Sequence, residues 1–308
     1  MSSDQQHIKG YIFGLAAVII WSGFILISRQ GGLSELNHYD MIALRYGTCA
    51  MVLLPFWWFR QRFNLLEPKY WCVALVGGVG YALCTFQGFQ LAPASHGALL
   101  LPGSMPLFIF LLAIFVGQTY FTLQKGMGIL LITLGIVALF WQQLMSTNVQ
   151  SDIVKGDALF LLGALCWGVF SILIKHWNIP PWHAVISMAV LTSVMYLPMY
   201  FLFAPKNIAI TNISTIALQM VYQGIFASII QLYFYVRAVE ILGASGMGSL
   251  MALVPLISGI AAIFIFSETV SFSLVLGLCL VAIGAWVTHS KFLQNNKTLN
   301  VTLAAKGE

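Results

Sequence analysis

The chain has 308 residues, 60% of them hydrophobic and only 7% charged, with a net charge of +5. A soluble domain carries about 25% charged residues, so a water-facing fold of this size could not cover its surface. The small, scattered positive excess gives no reason to expect a nucleic-acid partner, and a mean hydropathy of +0.90 agrees with a chain solvated mostly by lipid.

A hydrocarbon core of ~30 Å needs about 20 helical residues at ~1.5 Å each. The apolar runs predict ten such helices, over 9–29, 40–59, 70–90, 94–116, 125–143, 155–175, 183–203, 214–237, 244–266 and 271–291. The connections are short and leave no room for an extramembrane domain. The first span lacks a small-residue cleavage site, so it reads as a permanent helix rather than a removable signal. Residues 293–308 are polar and read as a disordered cytoplasmic tail.

Sidedness follows from the cations. With the N-terminus in the cytoplasm, that face holds Lys9, Arg60, Arg62, Lys69, Lys125, Lys175, Arg237, Lys291, Lys297 and Lys306. The other face keeps Arg29, Arg45, Lys155 and Lys206. Ten against four is the asymmetry of the positive-inside rule, and it places both termini in the cytoplasm.

Two stretches nearly repeat each other: KGYIFGLAAVIIWSGFILISR from Lys9 and KGDALFLLGALCWGVFSILIK from Lys155. Further on, an offset of 149 pairs Gly97 with Gly246, Pro106 with Pro255, Gly128 with Gly277 and Gly135 with Gly284. The repeated unit is therefore five helices. Because five is odd, the second copy enters the membrane from the opposite face. The expected fold is all-α and polytopic, with ten transmembrane helices in two inverted five-helix repeats, residues 1–150 and 151–292. Inverted repeats of this kind build many secondary transporters, whose substrate sits near the midplane between the halves. Duplication kept only as scaffold is the plainer alternative.

The stretches LAPASHGALLLPGSMPLFIFLLAIFVGQTYF (91–121) and FYVRAVEILGASGMGSLMALVPLISGIAAIFIFSETVS (234–271) resemble EamA-type members of the drug/metabolite transporter superfamily. An Ala-rich turn is followed by a small-residue helix with a central Pro, then a Gly-Glu-like turn. Pro106, Pro255 and Glu268 match the pattern, as does Arg45 in ALRYG, while Gln118 stands where the first repeat usually has Glu. The resemblance implies a central cavity lined by the first, third, fourth, sixth, eighth and ninth helices. It also implies transport of small metabolites such as amino acids or quaternary amines, often outward.

Candidate site residues follow from position. Trp21 and Trp167 each lie twelve residues into their spans, ~18 Å deep. Anchoring tryptophans favour the interfaces, so a repeated midplane Trp suggests an aromatic cavity wall, with helix packing as the alternative. Phe24 and Ser28 continue the Trp21 face, as Phe170 and Ser171 continue that of Trp167. Gln223 and Gln231 in the eighth span and Tyr81 in the third are interior polar groups, suited either to substrate or to interhelical hydrogen bonds. Pro106 and Pro255 should kink their helices and free backbone carbonyls. The run Gly243–Ser249 allows close backbone approach, and the paired glycines 128/135 and 277/284 read as a helix–helix seam.

No Asp or Glu lies near the middle of any span, so the expectation is a facilitator or exchanger, with proton coupling open. His96 and Arg45 are the possible charge partners. Arg45, ~7 Å inside its span, can snorkel outward as an anchor or serve a substrate carboxylate. The five cysteines lack paired spacing and read as small hydrophobes. No GxxxxGK[ST] motif occurs. Glu35, His38 and Asp40 form one acid–His loop without a second ligand cluster, so neither an enzyme, a metal nor a cofactor is expected. The expected partners are a small-molecule substrate and the bilayer, with the protein a monomer or homodimer in a bacterial inner membrane. An amino acid or related amphipathic solute is the first reading of cargo. Efflux of cationic or quaternary-amine compounds is the second, and a non-transporting sensor or subunit is the rival class.

Overall fold

The computed structural model describes residues 3–145 and 150–289, and no strand occurs among them. Ten helical segments follow in chain order. They are α1 (Ser3–Gly32), α2 (His38–Arg60), α3 (Pro68–Leu91), α4 (Ala94–Phe115), α5 (Leu123–Met145), α6 (Ser151–His176), α7 (Pro181–Phe203), α8 (Ile213–Gly243), α9 (Gly246–Phe266) and α10 (Phe272–His289). Among the described residues, nine are long and apolar enough to cross a membrane. The tenth, α10, has 18 residues and covers ~27 Å at helical rise. The polar tail expected over 293–308 lies outside the described residues.

The ends of the helices have local causes. Asn37 caps α2 in a reciprocal box, accepting from the Asp40 N–H at 2.9 Å while Asp40 accepts from the Asn37 N–H at 3.1 Å. Pro68 and Pro181 open α3 and α7, where a missing N–H costs nothing. The helices α4 and α9 close on left-handed residues, Gly117 (φ 68°) and Ser267 (φ 51°). Each is followed by the same backbone bond, Gln118 N–H to Ala113 O at 2.8 Å and Glu268 N–H to Ile263 O at 3.2 Å. The two repeats thus share a turn geometry that Ser267 adopts without glycine. At Gly243 (φ 77°, ψ 162°) the chain bends between α8 and α9. No atom lies within 4 Å of where a Cβ would sit there, so this glycine serves conformation, not the close approach expected of the run.

Packing obeys a pseudo-two-fold. In one half of the contacts α1 lies against α8 and α9; in the other, α6 lies against α3 and α4. Along the axis α2 pairs with α7, and α5 with α10. The last pair is the glycine seam. A Cβ on Gly128 would come within 2.6 Å of the Gly284 carbonyl oxygen, and one on Gly135 within 2.8 Å of that of Gly277. The reverse approaches are 2.6 and 2.9 Å, so both backbones touch at two points.

The third helix of each repeat departs from α geometry in its middle. A π stretch runs over Ala74–Gly80 in α3 and over Met220–Ile230 in α8, equivalent places. Wider turns leave carbonyls accessible to side chains. The Gly78 carbonyl accepts from the Tyr46 hydroxyl at 3.3 Å, that of Ala74 from Thr192 Oγ1 at 3.3 Å, and that of Gln223 from Ser228 Oγ at 2.7 Å.

The two prolines expected to act alike do not. The helix α4 runs unbroken through Pro102 and Pro106, whereas α9 is interrupted at 252–253, just ahead of Pro255. In α4 the hydroxyl of Ser104 bonds the Leu100 carbonyl at 2.5 Å, one turn back. In α9 Ser258 does the same for Val254 at 2.6 Å, but only after the break.

Candidate functional site

The midplane tryptophans meet. Trp21 of α1 and Trp167 of α6 stand edge to face with ring centroids 6.0 Å apart, across the boundary between repeats. Trp167 also touches Tyr81 of α3 at 5.0 Å and Phe170 at 4.9 Å. Neither indole points to lipid; both pack on the central apolar core, half-buried. Met251, Ala252 and Val254, at the break in α9, belong to the same core. Four aromatic rings from three helices therefore form one wall at mid-depth.

A polar group adjoins it. One turn along α1, Phe24 is stacked by the Arg45 guanidinium at 4.9 Å, and the Tyr46 ring lies 5.6 Å from the same charge. Arg45 donates to Gln223 Oε1 at 3.4 Å, and Gln223 Nε2 donates to Ser28 Oγ at 3.0 Å. This chain ties α2 to the π stretch of α8 and to α1. Gln223 and Ser28 are wholly buried, and Arg45 is 6% exposed. The anchor reading of Arg45 therefore fails: its side chain points into the bundle, toward Phe24 and Gln223, not outward to the interface. Among the described residues, Arg45 Nε and the hydroxyl of buried Thr48, one turn on, are without hydrogen-bond partners.

Other expected site residues lie elsewhere. Ser171 turns back on its own helix and donates to the Trp167 carbonyl at 2.7 Å. Gln231, half-buried at the end of the α8 π stretch, has no hydrogen bond to the cluster among the described residues. His96, at the start of α4, sits 3.0 Å from the buried Asp157 carboxylate of α6, so it bridges the repeats near one end of the bundle. The ELNHYD loop is structural. Asp40 accepts from the Tyr200 hydroxyl at 2.6 Å and the Asn207 N–H at 3.1 Å, and His38 Nδ1 lies 2.7 Å from Gln90 Oε1.

Three features escaped the sequence. Tyr46 and Thr48 follow Arg45 on the same helical turn, and that polar triad was the available signal. The Cys84 and Cys166 thiols lie against each other between α3 and α6, although 82 positions separate them and neither has a paired spacing. Glu268 accepts from the N–H groups of Ala94 at 2.6 Å and Ser95 at 2.9 Å, capping α4 from the other repeat.

Comparison with known proteins agrees with this architecture. A model of the EamA-like transporter family matches twice, over residues 8–141 and 154–289. The "Uncharacterized transporter YoaV" of Bacillus subtilis (strain 168) is 19% identical over 291 residues, covering 90% of this chain and 96% of that protein. A solved chain described as "Crystal structure of protein" superposes with a TM-score of 0.62 at 21% identity, over 90% of this chain and 95% of its own. At that identity the likeness concerns the fold.

Proposed function

Because the chain belongs to the EamA-like transporter family, a family of integral membrane transporters, we propose that it is a secondary carrier of small amphipathic metabolites, amino acids foremost. It works as an exporter or exchanger by alternating access in the bacterial plasma membrane. The observation that carries this reading is the meeting of Trp21 and Trp167 at mid-depth, where the inverted repeats face each other. A solute between those rings touches both halves, so its binding free energy is available to either arrangement of them. The charge split of the loops supports cytoplasmic termini.

Exchange runs down the solute's own gradient. The titratable pair His96–Asp157 lies at one end of the bundle, not in the aromatic layer. Pairing by backbone and side-chain groups also occupies Asp40, Glu268 and Glu240.

Tracer exchange in proteoliposomes, with no imposed gradient, against amino acids and quaternary amines tests the reading. Exchange of an amino acid that falls at least tenfold in Trp21→Ala supports it. Accumulation that requires a pH gradient and vanishes in His96→Gln would replace it with proton coupling. Exchange of quaternary amines alone would move the assignment to cation efflux, a reading favoured by the ring cluster Trp21, Trp167, Tyr81 and Phe170.

A further inference from the structure

We infer that Arg45 is the anchor for a carboxylate, and that the solute taken by this site is a monocarboxylate with a large apolar or aromatic group. The inference rests on reading the aromatic cluster as the solute site, and it deepens that reading by naming the group through which the solute is held.

A guanidinium has five N–H donors and no acceptor. At Arg45 one long hydrogen bond to Gln223, 3.4 Å, the face of Phe24, and the ring and hydroxyl of Tyr46 are what meets it. Among the described residues the Nε–H is buried and unpartnered, and none of the ion pairs includes Arg45. The nearest acid along α2, Asp40, is committed to Tyr200, Asn37 and Asn207. Charges within a membrane span pair with each other, with carbonyls or with substrate. The ring faces contribute only part of what water would supply, so the site carries one uncompensated positive charge. A carboxylate matches the guanidinium fork with two parallel bonds, and the free Thr48 hydroxyl lies one turn away to donate a third.

The count of charges chooses among anions. One fixed cation is neutralised by one carboxylate. A phosphate monoester, with close to two negative charges at neutral pH, would leave a net negative charge in the same low-dielectric place. A quaternary amine would meet a like charge. Depth chooses the remainder of the solute. Ser28, beside Gln223, and Trp21 are seven residues apart on α1, ~10 Å at helical rise. A carboxylate held at Arg45 therefore reaches the Trp21–Trp167 wall with an aryl-ethyl or similar side group.

Binding decides this independently of transport. Purified protein in detergent is titrated with 3-phenylpropionate, 3-phenylpropanamide, L-phenylalanine and phenyltrimethylammonium, reading the thermal midpoint and intrinsic Trp fluorescence. The expected result is that 3-phenylpropionate binds about 10- to 100-fold more tightly than the amide, the range of a charge-assisted pair, with L-phenylalanine between them because its ammonium meets a like charge, and that Arg45→Gln brings the ratio close to one. Arg45→Lys, which keeps the charge and loses the fork, retains part of the preference and serves if Arg45→Gln does not fold. Equal binding of amide and carboxylate, a preference that survives both variants, tightest binding of the ammonium compound, or no binding of either carboxylate overturns the inference. Tracer exchange of the best binder then separates the two readings. Arg45-dependent binding without exchange leaves the carboxylate site standing and removes transport. Exchange of the ammonium compound alone does the reverse.

Discussion

Trp167 is the most connected ring of the aromatic wall, touching Trp21, Tyr81 and Phe170, whereas Trp21 meets Trp167 alone within it. Each such ring pair contributes about 0.5–1.5 kcal/mol beyond area burial. Trp167→Ala should therefore lower stability more than Trp21→Ala, by about 1–3 kcal/mol, while both reduce solute exchange at least tenfold. Thermal midpoints in detergent and tracer exchange check the two halves of that expectation; equal destabilisation by the two variants would contradict the contact geometry. Both tryptophans were legible because their depth and repetition can be counted along the chain. The Arg45–Gln223–Ser28 chain was legible only as three separate polar residues. Its partners are 178 and 195 positions apart, and nothing in a one-dimensional pattern fixes which way a long side chain turns.

At the scale of the helix, small residues and turns fix the assembly. The α5–α10 seam has no room for side chains at Gly128 or Gly284, and close backbone contact is the main attraction open to helices in lipid. Gly284→Val should cost about 1–3 kcal/mol by overpacking, seen as a lowered thermal midpoint, with ligand affinity changed little because the seam lies apart from the aromatic wall. A loss of affinity larger than the loss of stability would show the seam to be coupled to the site. The glycine periodicity announced this contact. The π stretches in α3 and α8 had no such herald. They are a change in hydrogen-bond register, and the same residues would satisfy an apolar span in either register. The difference between Pro106 and Pro255 was equally hidden, since both remove one donor and only the surroundings decide whether the helix continues.

At the scale of the whole molecule, the repeats share their paired tryptophans and π stretches but differ in how their ends are tied. Where α1 finishes, polar ties cross between the repeats: Glu268 to Ala94 and Ser95, His96 to Asp157, Asp40 to Tyr200, and Gln219 Nε2 to the Ile27 carbonyl at 2.8 Å. Gln118 holds the place equivalent to Glu268 after the matching left-handed turn, yet its Oε1 is buried without a partner. A carboxylate clasp thus closes one end, whereas the other is tied by neutral and weaker contacts: Tyr70 to His183 at 3.1 Å, Gln124 Nε2 to the Val287 carbonyl at 2.7 Å, and Lys175 Nζ to the Gln118 carbonyl at 3.4 Å. Removing the clasp with Glu268→Ala takes away a cap of about 0.5–2 kcal/mol and should loosen that end. In a background with the exposed Cys72 and Cys279 changed to Ser, the half-buried thiols Cys84 and Cys166 should then react several-fold faster with a water-soluble maleimide. An unchanged rate would mean that the clasp caps α4 without restraining the repeats.

That clasp has a kinetic consequence for the uncoupled exchanger proposed above. Two openings related by the pseudo-two-fold and equal in energy would give equal half-saturation constants from both sides of the membrane. A clasp on one side, worth ~1 kcal/mol, makes the empty carrier rest about fivefold more often in one orientation. The solute then meets a ready site from one compartment and a closed door from the other, so KM and maximal rate differ between the two directions. Microscopic reversibility nevertheless holds their ratio identical in both. Neutralising the clasp should bring the two half-saturation constants together without altering where the solute comes to equilibrium.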